Sequence, residues 1–225
     1  DGIRDYKVTG VQTCALPISG LGDEIEALAT KLAECTFDGS GSLGAIDALA
    51  RWLPQASAVL EFAPKAGPAA WHTIWTYLQV GDLNDQRGSL ALALSAYRNA
   101  ESVARSSGLE RDLSVSHTKI GDVLRALGSL PAALDAYKAS LAIAERLAAA
   151  DPGDAGWQRD LSVAHGRIGD VLVAQGSLPA ALDAYKASLA IRQRLAAADP
   201  GNAGWQRDLS VSHSKIGNEI GRTHV

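Results

Sequence analysis

Hydrophobic residues recur along the middle of the chain every three or four positions, which is the spacing of one face of an α-helix. One such face is formed by Leu161, His165, Ile168 and Leu172. Gly176 ends this pattern, because glycine readily takes the left-handed conformation that closes a helix. A second face follows at once and is formed by Leu178, Ala181, Leu182, Tyr185, Ser188 and Leu189. The pattern therefore predicts two helices joined by a tight turn.

Turn residues predict where these helices begin and end. Ser177 is placed to cap the second helix through its hydroxyl group. That helix is expected to run to about Ala198, since the Asp199-Pro200-Gly201-Asn202 segment breaks a helix. Asn202, and Asp154 one unit earlier, are in position to cap the helix that opens the following unit.

The helix pair is a repeating unit. Residues 111–158 and 159–206 align without a gap over 48 residues, of which 40 are identical. A third copy begins at Arg207, and a diverged copy lies upstream between Gly81 and Ala104. Because neither helix can bury its apolar face alone, neighbouring units must stack on each other. The sequence therefore predicts an all-α fold built from stacked helix pairs.

The spacing of small and aromatic residues within each unit resembles the tetratricopeptide repeat. One copy matches the family pattern at Ile168-Gly169, Leu172, Gly176, Leu178, Ala181, Tyr185 and Ser188-Leu189. The copy before it matches at Ile120-Gly121, Leu124, Gly128, Leu130, Ala133, Tyr137 and Ser140-Leu141. A weaker match consists of Gly81, Gly88, Leu90, Ala93 and Tyr97. The resemblance covers about 71–217. It implies a right-handed superhelical solenoid of antiparallel helix pairs, with a concave groove that binds peptides.

The units also depart from that family. His117 and His165 stand where the family most often has tryptophan, and the terminating proline comes seven residues late. The unit has 48 residues, whereas the family's unit has about 34. Both helices are therefore expected to be longer than usual, as in the long-unit tetratricopeptide arrays of bacterial proteins.

The two ends of the chain differ from the repeats. Residues 1–18 and 219–225 resemble translated sequencing adapters, and the chain contains no methionine. Both segments are left out of the fold prediction, and we expect them to be extended or poorly packed. We expect the array to span 71–218 of an internal piece of a longer gene. Residues 20–70 are interpreted as a helical lead-in, either a degenerate cap of the array or the edge of an upstream domain.

Composition and charge exclude several classes of function. The net charge of -4 gives no basic patch for nucleic acid. No apolar run approaches the roughly 20 residues that span a bilayer, so no membrane partner is expected. Two cysteines cannot form a disulfide framework. A cytoplasmic location is favoured, and we expect the natural N-terminus to lie upstream of this sequence.

Motifs for catalysis or cofactor binding are absent from the sequence, which has no P-loop, GxSxG, HExxH or dinucleotide fingerprint. His117, His165 and His213 recur once per unit. Stacked helices lie about 8–10 Å apart, whereas zinc ligands lie about 2.0–2.1 Å from one ion. We therefore expect interhelical histidines, no metal, no cofactor and no enzyme activity.

The differences between the two near-identical copies point to a candidate binding surface. The residues predicted to line the groove, called the groove stripe below, are Asp82, Thr118, Asp122, Arg125, Gly166, Asp170 and Val173. The aspartates recur once per unit, whereas Thr118 becomes Gly166 and Arg125 becomes Val173. A solvated face that drifts freely would give the same pattern. The functional interpretation is a repeated acidic ladder with variable specificity positions, for a basic or amide-rich protein or peptide ligand.

Three functions remain open from the sequence. The first is a non-catalytic protein–protein interaction scaffold that binds a peptide or helix in the groove of the array. The second is a regulatory or sensor array of a larger bacterial signalling enzyme, an NTPase or a protease. The third is a self-associating structural solenoid, since near-identical units are complementary to each other end to end.

Overall fold

The computed structural model describes Leu60 and residues 70–223, with side chains up to Glu219. Over these residues every regular element is an α-helix. The helices are α1 (Ala70–Gln86), α2 (Leu90–Ser107), α3 (Glu110–Ala126), α4 (Leu130–Ala150), α5 (Ala155–Ala174), α6 (Leu178–Ala198) and α7 (Ala203–Thr223). Each helix packs mainly against the helices before and after it in the chain. Since contacts between sequence neighbours define a solenoid, the predicted all-α solenoid is confirmed.

Glycine closes the first helix of each unit, as predicted. Gly88, Gly128 and Gly176 have φ values of 73°, 77° and 77°, in the left-handed region that strains residues with a Cβ atom. The backbone N–H of Ser177 then donates to the carbonyl of Leu172 at 2.8 Å. This bond satisfies a carbonyl group that the end of the helix would otherwise leave without a partner.

The predicted caps are correct at the first helices and wrong at the second. Asp154 accepts a hydrogen bond from the backbone N–H of Trp157 at 2.9 Å, and Asn202 accepts one from Trp205 at 3.2 Å. Ser177 makes no capping bond with its side chain. Its backbone, at φ −88° and ψ 61°, is held by the glycine turn and lacks the extended conformation typical of capping residues.

The core lies within the helix pairs and also between neighbouring pairs, since one buried cluster joins α1, α2 and α3 and another joins α4 and α5. Ala133 and Ala181 have no exposed surface, as predicted for positions where the helices approach each other. Tyr137 is fully buried and Tyr185 is 4% exposed. The second-helix face of the sequence pattern therefore does point into the core. None of the helices in this part of the chain combines the length and apolar character needed to cross a membrane.

The C-terminal end of the array differs from the prediction. Residues 219–223 are not extended, because α7 continues to Thr223 and Glu219 is buried. An existing helix lengthens easily, since only its first turn is costly to form. Residues 1–18 lie outside the described part of the chain, as does the lead-in apart from Leu60 and Ala70. Leu60 is buried, and its carbonyl accepts a hydrogen bond from the Tyr77 hydroxyl at 3.2 Å.

Candidate functional site

Each aspartate of the groove stripe accepts a hydrogen bond from a tyrosine on the second helix of its own unit. The bonds are Tyr97 to Asp82 at 2.6 Å, Tyr137 to Asp122 at 2.6 Å and Tyr185 to Asp170 at 2.8 Å. The tyrosine rings are buried, whereas the aspartates are only half-buried. The hydroxyl group therefore connects the apolar core of a unit to its polar surface.

A glycine immediately before each aspartate makes room for the tyrosine ring. A Cβ atom at Gly121 would stand 2.5 Å from the ring of Tyr137, and one at Gly169 would stand 2.5 Å from Tyr185. Non-bonded carbon atoms prefer about 3.5–4.0 Å. These glycines are therefore required by the close packing of the ring.

The same aspartates form ion pairs with the following unit. The pairs are Lys119 with Asp82 at 2.6 Å, Arg167 with Asp122 at 3.3 Å and Lys215 with Asp170 at 2.5 Å. We call the contact between successive first helices a seam, so that α1–α3, α3–α5 and α5–α7 each form one. Every seam in the described residues therefore contains the same three groups: a tyrosine, an aspartate and a cation from the next unit.

The hydroxyl groups of Tyr97 and Tyr137 are held in the protonated form. Burial raises the pKa of Tyr97 and of Tyr137 well above the ordinary range, and the hydrogen bond to the neighbouring aspartate raises it further. A protonated hydroxyl donates, and an ionised carboxylate accepts. The direction of each bond is therefore fixed, and the carboxylate remains free to bind the cation.

The expected acidic ladder is present, but its carboxylates are not unpaired. Three negative charges on α1, α3 and α5 are matched by three positive charges on α3, α5 and α7. Pairs of this kind, partly open to water, contribute about 0–1 kcal/mol each. Their clearest role is to set the stacking of the units. An attraction for basic ligands cannot come from unpaired aspartates here.

The remaining residues of the groove stripe lie beside these seams. Thr118 is half-buried, and its hydroxyl lies 2.9 Å from that of Ser140 and donates to the carbonyl of Ser114 at 3.1 Å. Arg125 is exposed at the end of α3, whereas its counterpart Val173 is half-buried. The structure thus places three stripe residues on α3, three on α5 and Asp82 on α1.

A cavity of about 100 Å³, lined by apolar and polar side chains, lies in the seam between α3 and α5. Its lining consists of Ser114, Val115, Thr118, Lys119, Ser140, Asp160 and Val163. Thr118 is the one groove-stripe residue in this lining. The sequence analysis missed Ser114, Ser140 and Asp160, which are identical in both copies and so carry no signal in a comparison of the copies, and Lys119, whose change to Arg167 keeps the positive charge.

A second contact between units was also missed. The Arg111 guanidinium pairs with Asp160 at 3.3 Å and stacks 4.9 Å above the ring of Trp157, both on α5, the first helix of the next helix pair. The same contact recurs one unit later, where Arg159 pairs with Asp208 at 3.1 Å and lies 5.8 Å above Trp205. Recurrence of Arg, Asp and Trp at the 48-residue interval is the signal that could have revealed it.

The recurring histidines are not equivalent in the structure. His117 and His165 are half-buried, whereas His213 is exposed. Burial lowers the pKa of His117 and of His165, while Glu101 and Glu145 partly oppose this. Within the described residues, no three histidine, cysteine, aspartate or glutamate side chains are grouped closely enough to hold a metal ion.

Lowered histidine pKa values predict that acid destabilises the array. A histidine that takes up its proton less readily when folded contributes stability above its unfolded pKa of about 6.5, and this stability is lost as the pH falls below that value. We expect the melting temperature to fall as the pH is lowered from about 7.5 to 5.5. Thermal scans of a His117→Gln/His165→Gln variant should show a smaller fall, and an equal fall would contradict the assignment.

Fold and seams together define the class of this chain as an all-α helical-repeat protein. Among solved structures, it is similar to the crystal structure of BtubC (BKLC) from P. vanneervenii, with 13% sequence identity, a TM-score of 0.51 and coverage of 93% of each chain. This likeness concerns the fold alone.

Two further structures are similar at lower scores. One is a de novo designed helical repeat protein, DHR64, with 14% identity, a TM-score of 0.30 and coverage of 92% of this chain and 97% of that chain. The other is the DHF119 filament, with 14% identity, a TM-score of 0.33 and coverage of 91% of this chain and 94% of that chain. No family model and no curated protein sequence matches the chain.

Proposed function

We propose that this chain is a non-catalytic scaffold that binds a peptide or a helix of a partner protein along the groove stripe. The observation that carries this proposal is the contrast between constant and variable positions on one side of the first helices. The tyrosine, aspartate and cation are kept in every described seam. Beside them, Thr118 changes to Gly166 and Arg125 to Val173. The resemblance to tetratricopeptide repeats supports the same use.

The paired charges favour an amide-rich ligand over a lysine-rich one. An ionised carboxylate offers about four acceptor positions, and Asp122 uses two of them for Tyr137 and Arg167. An asparagine or glutamine side chain can donate to a remaining position without adding charge to a balanced seam. Stacked helices about 10 Å apart match every third residue of an extended peptide at about 3.3 Å per residue.

A peptide array tests this proposal. Peptides with Asn or Gln at every third position are compared with Lys versions at low and at high salt. We expect the amide peptides to bind at least as tightly as the Lys peptides, with little dependence on salt, because the seams carry no excess charge. Binding by Lys peptides alone, abolished by salt, would contradict the amide preference.

A swap variant tests the location of the binding surface. Exchanging Arg125→Val and Val173→Arg reverses the polar and apolar ends of the stripe and leaves the composition unchanged. It should reverse the orientation in which asymmetric peptides bind. The matched control exchanges Glu145→Gln and Gln193→Glu, two exposed positions on the second helices, and should leave binding unchanged. If the two swaps behave alike, the stripe is merely a solvated face.

Self-association is a second candidate, favoured by the recurrence of the Arg, Asp and Trp contact in successive units. Copies of such a unit can stack on each other through the groups that already join units within the chain. Sedimentation velocity over a concentration series tests this candidate. A sedimentation coefficient that does not change with concentration would remove it.

A further inference from the structure

The seam between α5 and α7 contains an arginine that the preceding seam lacks. Arg192, on α6, donates from Nε to the hydroxyl of Ser162 at 3.3 Å. Its Nη1 donates to the carbonyl of Asp208 at 2.8 Å and to the hydroxyl of Ser212 at 3.0 Å. The guanidinium group therefore joins three helices, namely its own, α5 before it and α7 after it.

One unit earlier, the position of Arg192 is occupied by Ala144. Two of the residues that line the cavity, Ser114 and Asp160, are the counterparts of Ser162 and Asp208, which hold the guanidinium of Arg192. The surroundings of the missing guanidinium are thus present in the α3–α5 seam, next to an open space of about 100 Å³. That volume holds several water molecules and is ample for a planar guanidinium group.

Two further differences between the α3–α5 and α5–α7 seams leave the number of hydroxyl groups unchanged. Ala164 replaces Ser212 on the receiving helix, which removes one hydroxyl group from the α3–α5 seam. Thr118 replaces Gly166 on the donating helix and lines the cavity, which adds one. The cavity is therefore lined by Asp160 and by the hydroxyls of Ser114 and Thr118, each of which lies 2.9 Å from the Ser140 hydroxyl and has a second acceptor position on its oxygen.

The ion pair between Arg111 and Asp160 does not fill this position. The next seam contains the same pair, Arg159 with Asp208, and still holds Arg192 on the backbone carbonyl of Asp208. One aspartate position therefore receives two guanidinium groups, one on its carboxylate and one on its carbonyl. In the α3–α5 seam only the first is supplied by this chain.

We propose that the cavity of the α3–α5 seam binds the guanidinium group of an arginine side chain from the partner. This inference rests on the proposed scaffold function and names one side chain of the partner, which binds beside the groove stripe in this one seam. Guanidinium suits the cavity because its planar fork presents five N–H donors in fixed directions, whereas the lysine ammonium presents a compact charge with three donors. The partner's arginine would take the place that Arg192 takes in the next seam.

Titration with methylguanidinium, followed by the amide NMR shifts of the full chain, tests the cavity without any peptide. We expect saturable shifts at Ser114, Thr118 and Asp160 at millimolar concentrations, and none with methylammonium. A Thr118→Gly/Ala144→Arg variant copies the next unit and fills the cavity from within. Its affinity for methylguanidinium at this seam should be at least tenfold weaker. Equal titration of the variant and the natural chain would overturn the proposal, as would equal shifts with methylammonium.

The reverse change provides an independent measurement should the first variant fail to fold. Arg192→Ala removes the natural guanidinium from the α5–α7 seam and should lower the melting temperature. Methylguanidinium should then restore part of the loss and give new saturable shifts at Ser162 and Asp208. Restoration of the same size by methylammonium would show that the seam does not select the guanidinium group.

Arginine-containing peptides separate this inference from the scaffold function. A peptide that binds the natural chain and not the Thr118→Gly/Ala144→Arg variant supports both the arginine cavity and the scaffold function. Saturable methylguanidinium binding without binding of any peptide supports the cavity and overturns the scaffold function. Peptide binding that leaves the shifts of Ser114 and Asp160 unchanged overturns this inference alone.

Discussion

Replacing Tyr137 with alanine is expected to lower the free energy of unfolding by about 3–5 kcal/mol, the usual cost of truncating a large buried aromatic side chain. The Tyr137 ring is fully buried and packs against Gly121 on the facing helix. Its removal leaves a cavity between the two helices of the unit. It also removes one of the two groups that hold Asp122 in the seam. Urea denaturation followed by circular dichroism measures the loss.

Tyr137→Phe is the matched control, because it keeps the ring and removes the hydroxyl alone. Its expected cost is about 0.5–1.5 kcal/mol, the usual net value of one hydrogen bond. The difference between the two variants then measures the packing of the ring. A cost below about 1 kcal/mol for Tyr137→Ala, against the range for buried aromatics, would mean that the ring is not part of the core.

The helices and their turns could be predicted from the sequence because the signals are local. A helix face is set by residues three and four apart, and Gly176 closes its helix through its own backbone angle. The second helix ends at Ala198, where the break sequence predicts. Ser177 is the local signal that failed. Its side chain has the right chemistry for a cap, but the glycine turn fixes its backbone in another conformation.

The seams could not be predicted from the sequence because each joins residues far apart in the chain. Lys119 and Asp82 are 37 positions apart, and Lys215 and Asp170 are 45 apart. Which cation pairs with which carboxylate depends on how the stacked units are offset, and that offset cannot be predicted from any single residue. The recurrence of the aspartates, one on each first helix, could be read from the sequence. Their pairing was missed, and with it the balance of charge that changes the expected ligand.

The comparison of the two copies showed that positions 144 and 192 differ, but not what either residue touches. Arg192 reaches α7 because the guanidinium lies at the end of a long side chain, and its acceptors include the backbone carbonyl of Asp208. Since every residue has a backbone carbonyl group, the sequence does not indicate which carbonyl accepts a hydrogen bond. The candidate arginine site depends on the fold, which brings Ser114 and Asp160 together around one cavity.

Replacing Gly169 with alanine is expected to lower the free energy of unfolding by about 1–3 kcal/mol, the usual cost of forcing extra volume into a packed core. The added Cβ atom would lie 2.5 Å from the Tyr185 ring, and that ring is 4% exposed. The ring must therefore move, or the two helices must separate. Either movement strains the hydrogen bond from Tyr185 to Asp170 and the ion pair of Asp170 with Lys215.

Gly217 is the matched control, since it stands at the same position of the next copy with nothing within 4 Å of an added Cβ atom. Alanine there should stabilise the helix by about 0.5–1 kcal/mol, because glycine in a helix interior costs that much. In a Tyr185→Ala background, Gly169→Ala should likewise lose its cost, and the double-mutant cycle isolates the contact. If Gly169→Ala and Gly217→Ala change the stability equally, helix propensity accounts for both effects. Close packing of the Tyr185 ring would then not require glycine at position 169.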